Sequence, residues 1–431
     1  MSAANDGQPG GLARVLGRWD LTAVGVNQVI GSGIFVLPAA VAALVGVANS
    51  IWPVVLAGFA NALIVLCFAE VSTRFRSTGG PYVYAREAFG PFVGFEVAWM
   101  LWLTRLASLA ALANALARYL GYFIPGASVG LGRAATVTLL IGTLATINLL
   151  GVRYGSWTVN FFTVSKLVPL LAFVLLGLAA VDNTAFEGFS PIIDASTGEA
   201  VLLLMFAFGG FELITLPAGE ARSPRRDVPI ALLSTIGIVC VVFVGVQYVT
   251  AGTLPGVAAS ETPVADAAAV FLGPLGGMLV AVGGLISIAG ANAGTMLAGP
   301  RVTFALAESG QAPRWFGHIN SRYRTPDVSI VIYAVIALGL ALSGSFEQMA
   351  KVSAVARLIF YLATCAAVPV LRRQTAEVDG FRLPGGILIP GLAFAVGAAI
   401  ILGADAVSLA AGGIALVLGA ALYAFAGRTP S

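Results

Sequence analysis

The sequence predicts an all-α polytopic membrane protein with twelve transmembrane helices, and three observations carry that prediction. Of 431 residues, 58% are apolar and 10% charged, against roughly 25% charged in an ordinary soluble protein. Apolar runs bounded by polar turns recur at 20–47, 50–72, 93–123, 131–150, 157–181, 198–220, 228–252, 269–300, 328–344, 347–371, 386–403 and 405–427. Twelve spans of about 20 residues need about 240 positions, and the remainder suits chain ends and short connections. With the N-terminus placed inside, 17 of the 23 Lys and Arg residues fall in cytoplasmic segments, Arg14, Arg76, Arg153, Arg225, Arg226 and Arg428 among them. Outer segments hold Arg118 and Arg133, and their other charges are mostly acidic, such as Asp182, Glu187 and Glu261. This asymmetry follows the positive-inside rule and predicts an N-in, C-in topology.

Taken in order, a polar tail over 1–19 leads into span 1, which is interrupted by Ile30-Gly31-Ser32-Gly33-Ile34. Span 3 carries Arg105 and Ser108, and span 5 carries Lys166 about eight residues in from its cytoplasmic end. Span 6 is interrupted at Phe208-Gly209-Gly210-Phe211 and holds Glu212, while span 8 holds Ser287 and Asn292 and span 10 holds Ser353, Arg357 and Tyr361. Glycine breaks in spans 1 and 6, five spans apart and antiparallel in the bilayer, point to a five-plus-five inverted repeat around a midplane site. The repeats are expected over 20–181 and 198–373, with two further helices over 386–427. Glycines that only permit close helix packing remain the alternative for either break alone. An ionisable group at a helix centre costs about 2.5–3.5 kcal/mol on insertion scales, so Arg105, Lys166, Glu212 and Arg357 each need a partner or a task.

Other classes are disfavoured. One histidine, His318, in a loop leaves no Ser-His pair or two-histidine zinc motif, so an enzyme is not expected. Cys67, Cys240 and Cys365 lie far apart in apolar runs and suit neither a disulfide framework nor a metal site. No cofactor is expected beyond a proton as coupling ion, and the net charge of +3 shows no basic stripe that would engage nucleic acid. The first apolar run lacks a signal-peptide layout and is expected to remain in the mature chain. Arg outnumbers Lys 21 to 2 and no Asn-x-Ser/Thr site occurs, which leans toward a bacterial inner membrane.

The motifs, in order, are Gly31-Ser32-Gly33-Ile34-Phe35 with Pro38, Gly79-Gly80-Pro81-Tyr82 with Ala88-Phe89-Gly90, and Phe208-x-Gly210-Phe211-Glu212 with Gly219-Glu220. They continue with Pro224-Arg225-Arg226-Asp227-x-Pro229, Arg301 and Ala305 before Ser309-Gly310, Pro313 with Thr325-Pro326, and Tyr361-Leu362 through Leu371-Arg372-Arg373. Through nearly its whole length the chain resembles the amino acid-polyamine-organocation family of permeases, which implies a LeuT-like fold with broken helices 1 and 6. Two departures are Asn27-Gln28 in place of a small apolar pair and Ala218-Gly219-Glu220 in place of an acidic pair, so the resemblance does not transfer a substrate identity.

The resemblance implies that a substrate carboxylate meets the unwound span 1 while its amino group meets carbonyls of spans 1 and 6. Elementary electrostatics agrees. A half-helix starting after Gly31 offers the N–H groups of Ser32, Gly33 and Ile34 and a positive dipole end to an anion. Carbonyls freed at Val29, Phe206 and Gly209 can accept from an ammonium group. Phe206 aligns with the aromatic that relatives use as a lid, although a core Phe is the plainer reading. Relatives also carry a lysine at Lys166, in the place a sodium ion takes in sodium-coupled proteins of the fold. Burial disfavours a lysine's charge, so Lys166 can serve either as a proton carrier or as a fixed tether.

Arg105, Glu212, Arg357 and Tyr361 map beside the substrate's side chain in relatives. They can form an ion network, sense protons through Glu212, or leave a surplus positive charge for an anionic group. Ser108, Ser287, Asn292 and Ser353 can line the side-chain pocket or simply bond between helices. The expected activity is alternating-access transport of amino acids by proton symport, with an exchanger or a non-transporting amino-acid sensor as alternatives. The expected partners are a small amino acid and the lipid bilayer, with oligomeric state left open.

Overall fold

The computed structural model describes residues 16–75, 79–151, 156–308, 310–374 and 380–426, with the backbone alone over 156–165. The tail is thus described only from Leu16, and Arg14, Arg76, Arg153, Ser309 and Arg428 lie outside the described residues. Fourteen α-helices follow one another among them. They are α1 (Arg18–Val29), α2 (Gly33–Val45), α3 (Ile51–Ser72), α4 (Pro81–Phe89), α5 (Pro91–Gly121), α6 (Gly130–Leu149), α7 (Ser156–Gly177), α8 (Ala195–Ala207), α9 (Pro224–Thr253), α10 (Pro263–Glu308), α11 (Asp327–Ser343), α12 (Phe346–Gln374), α13 (Leu388–Leu402) and α14 (Ala406–Ala426).

Their ends follow local chemistry. Pro81, Pro91 and Pro224 open α4, α5 and α9 at a position where the missing N–H costs nothing. The Asp194 side chain caps α8 by accepting from the Thr197 N–H at 2.8 Å. Gly273, at φ +73° and followed by Pro274, breaks α10 near its start.

Eight helical segments among the described residues are long and apolar enough to cross a membrane. The pair α1 and α2, bent by 45° across the Ile30–Ser32 break, makes a ninth when counted as one span. Three shorter apolar helices run over Lys166–Ala180, Asp327–Ser343 and Leu388–Leu402. Helix α5 is the hub, packed chiefly on α12 and α10, with α3 on α9 and α1 between α9 and α7. In contrast, α6 and α14 leave apolar side chains such as Leu139, Val417 and Phe425 exposed, as lipid contact requires.

Two matched departures from helix lie side by side inside this bundle. Past Ala207 the chain leaves the α8 helix, turns through Gly210 at φ +122°, and continues as a 3-10 turn over Phe211–Thr215. The breaks are pressed together through glycine. A Cβ at Gly33 would lie 2.5 Å from the Ala207 Cβ, and one at Gly210 would lie 2.9 Å from the Gln28 carbonyl oxygen. Neither approach admits a side chain. Gly31, by contrast, has ordinary room, since its Cβ would sit 3.6 Å from Ala291 and Leu112.

Candidate substrate site at the helix breaks

A helix that stops inside a bundle leaves backbone donors and acceptors without helical partners. At the first break the Ser32 carbonyl accepts from the N–H groups of Phe35 and Val36 at 3.0 Å each, which starts α2. The first-turn N–H groups of α2 therefore face the gap with the positive end of the helix dipole. The Ser32 hydroxyl is buried beside them without a hydrogen-bond partner.

On the acceptor side, the Val29 carbonyl takes the Gly31 N–H at 2.8 Å, and the Phe206 carbonyl takes the Gly209 N–H at 3.2 Å. Both carbonyls keep a second lone pair. At Phe206 that lone pair accepts from Arg357 Nη1 at 3.0 Å.

A cavity of about 40 Å³ lies against both breaks, lined by Gln28, Val29, Gly31, Ser32, Gly33, Arg105, Ser108, Leu112, Phe206, Ala207, Gly209, Gly210, Ala291, Thr295 and Arg357. Of the residues singled out from sequence, Val29, Ser32, Gly33, Phe206, Gly209, Arg105, Ser108 and Arg357 thus share one cavity wall. Ile34, Lys166, Glu212, Ser353 and Tyr361 stand behind it. Ser287 and Asn292 do not line it either: Ser287 donates to the Ile30 carbonyl at 3.4 Å and Asn292 to Ile288 at 2.9 Å. Thr295, one helical turn on from Ala291, is the α10 polar group that reaches the cavity, and sequence reasoning missed it. Gln28 was visible only as a polar residue out of place in an apolar run.

The two arginines of the wall share one acid behind it. Arg105 Nη2 lies 3.4 Å and Arg357 Nε 4.0 Å from the same Glu212 oxygen, Oε1. Glu212 Oε2 accepts from the Tyr361 hydroxyl at 2.8 Å and from the Gly210 N–H at 2.9 Å. Glu212 is fully buried, and the carboxylate joins the second break to α5 and α12. Ser108 and Ser353 share a 2.8 Å hydrogen bond, and Ser353 also donates to the Thr104 carbonyl at 3.2 Å. Lys166 is buried on α7 and donates to the carbonyls of Asn27 at 3.0 Å and Ile30 at 3.2 Å. Its ammonium thus caps the broken end of α1.

Aromatic layers and ion pairs bracket the cavity at both ends. On the side where α12 begins, Phe206 meets Phe346 edge to face at 5.7 Å. Arg118 lies over that ring and grips Glu347 with two hydrogen bonds of 2.6 and 2.9 Å. A larger cavity of about 320 Å³ opens above, where Lys351 pairs with Glu199 at 2.6 Å. On the opposite side, Phe68, Phe211 and Tyr361 form a mutual cluster with centroids 5.0–5.4 Å apart. Below it, Arg372 grips Glu70 through two 2.6 Å contacts that join α12 to α3.

The family described as Amino acid permease matches residues 16–424. The chain is 29% identical over 409 residues to the Serine/threonine exchanger SteT of Bacillus subtilis (strain 168), covering 92% of each chain. It is 26% identical over 445 residues to the Branched-chain amino acid permease BcaP of the same organism, covering 98% of this chain and 94% of the relative. The b(0,+)-type amino acid transporter 1 of Oryctolagus cuniculus is 29% identical over 372 residues, covering 82% and 75%. With its membrane-crossing helices and a match along nearly its whole length, the chain belongs to the amino acid permease family and is a membrane transporter, not an enzyme.

Proposed function

We propose that this transporter carries α-amino acids by alternating access and couples their uptake to protons through Lys166. The carrying observation is the pair of helix breaks. First-turn N–H groups of α2 with the Ser32 hydroxyl suit a carboxylate, and the Phe206 and Gly209 backbone suits an ammonium group. In this reading the nine membrane-crossing units and the three shorter apolar helices together make twelve spans. They form a LeuT-like five-plus-five inverted repeat over 20–181 and 198–373, with 386–427 added and both termini inside, in a bacterial inner membrane.

Lys166 supports the coupling reading by its contacts. Its ammonium bonds to two carbonyls at the end of α1. Loss of its proton would remove the charge that holds α7 to that broken end. The test is uptake of a labelled amino-acid panel into proteoliposomes, with and without a pH gradient and with and without internal amino acid. Gradient-driven accumulation should occur without internal substrate, and Lys166→Met should abolish it. Undiminished pH-driven uptake by Lys166→Met would overturn the coupling role. A requirement for internal amino acid would favour obligatory exchange, the reading supported by similarity to the serine/threonine exchanger over 92% of both chains.

A further inference from the structure

The seat that suits an ammonium group is held by one of the protein's own side chains. Arg357 Nη1 donates to the Phe206 carbonyl at 3.0 Å, and the guanidinium lies so close over Gly209 that no Cβ could coexist with it there. Two guanidinium groups, Arg105 and Arg357, line the cavity, and among the described residues no carboxylate does. Glu212 behind the wall is the acid that faces both, leaving one positive charge in excess. Arg357 is buried, and its Nε has no hydrogen-bond partner.

We propose that Arg357 stands in for the substrate's ammonium group at Phe206 and, once displaced, becomes the counter-ion of the substrate's side chain, so that the carrier selects amino acids with an acidic side chain. The inference rests on the amino acid reading of the site. An α-ammonium group can reach the Phe206 carbonyl only by moving the guanidinium off it. A displaced guanidinium in this buried site needs a new acceptor. An aliphatic side chain offers none and a hydroxyl or amide only an uncharged oxygen, while a cationic one would add a third positive charge around Glu212. A side-chain carboxylate takes the guanidinium as a bidentate partner and brings the site to neutrality. The α-carboxylate keeps its own seat at Ser32 and the head of α2.

The test is competition and uptake in proteoliposomes with aspartate, glutamate, serine, valine, arginine and two dicarboxylates without an amino group, succinate and 2-oxoglutarate. The wild type should prefer aspartate or glutamate. Arg357→Gln should lower the ratio of acidic to neutral amino acid uptake by about ten- to a hundredfold, as loss of one charged hydrogen-bonding partner implies. Arg357→Lys, which keeps the charge, should recover part of that ratio. Should the variants not be recovered folded, the wild-type panel decides. A wild type that takes serine or valine as well as glutamate overturns the selection and leaves the amino acid reading standing. Competition by succinate and 2-oxoglutarate, with none by any amino acid, overturns both.

Discussion

At Glu212 one carboxylate answers to two buried guanidinium groups, a tyrosine hydroxyl and a backbone N–H. Removing one partner of a buried ion pair costs about 3–5 kcal/mol, because the other charge stays buried and unpaired. Glu212→Gln should therefore lower the stability of the detergent-purified protein by roughly that amount. Adding Arg105→Gln should restore part of the loss, since the surplus charge goes with it. Thermal or denaturant unfolding of the two single variants and the double variant checks this. Additive losses would mean that the groups are not coupled. The four deep charges were legible in sequence because each stands out in an apolar run. Their pairing was not, since residues 105, 212 and 357 meet only when three separate helices pack. Glu96 is illegible in sequence for the opposite reason. It lies five residues from the start of α5 and reads as interfacial, yet its carboxylate is buried without a hydrogen-bond partner, facing Gly419.

At the scale of the helix, the two breaks hold each other in place. Gly31 and Gly33 look equivalent in sequence, but they differ in what surrounds them. A methyl group at Gly33 would press on both the Cβ and the Cα of Ala207, 2.5 and 2.8 Å away, whereas one at Gly31 meets side chains at 3.6 Å. Gly33→Ala should lower stability by about 1–3 kcal/mol, the usual cost of overpacking, and Gly31→Ala by less than about 0.5 kcal/mol. The unfolding midpoints of the two variants read the difference directly, and equal losses would show that α2 does not rest on α8 in this way. Transport by Ser32→Ala should survive better than by Gly33→Val. The serine change removes one hydroxyl and keeps the backbone N–H, while valine also forces the breaks apart. Glycine is thus required at position 33 by a neighbour from a distant part of the chain, in addition to any approach of a carboxylate.

Across the whole molecule, ion pairs at the two ends of α12 flank the cavity, Arg118–Glu347 at one and Arg372–Glu70 at the other. The twelve-span reading places these ends on opposite sides of the membrane. It also places the exposed residues Glu187 and Arg322 outside and inside, respectively. Cysteine substituted at 187 should react with a membrane-impermeant maleimide on intact cells, and cysteine at 322 only after permeabilisation. The native Cys67 and Cys365 are buried and Cys240 is partly covered, so the background should be low. Labelling of both positions from the same side would remove the topology.

Although sequence alone does not show the helix Pro81–Phe89 or the full length of Pro263–Glu308, it shows that this chain is built of apolar helices suited to a membrane, and that its helical course breaks at residues 30–33 and 208–210. Each of these follows from a local cost. Apolar runs of fixed length, charges that bilayers exclude and glycines that interrupt helices are visible without knowing what lies nearby. The family resemblance added the expectation that the breaks bind substrate. It takes the folded chain to show that Arg357 occupies the Phe206 carbonyl, that Thr295 and Gln28 complete the cavity, and that Lys166 bonds to Asn27 and Ile30. These depend on distances between residues up to about 330 positions apart, set by how α1, α7, α8, α10 and α12 pack. One-dimensional spacing does not carry such distances, because any residue on a buried helix face has several neighbours it can meet.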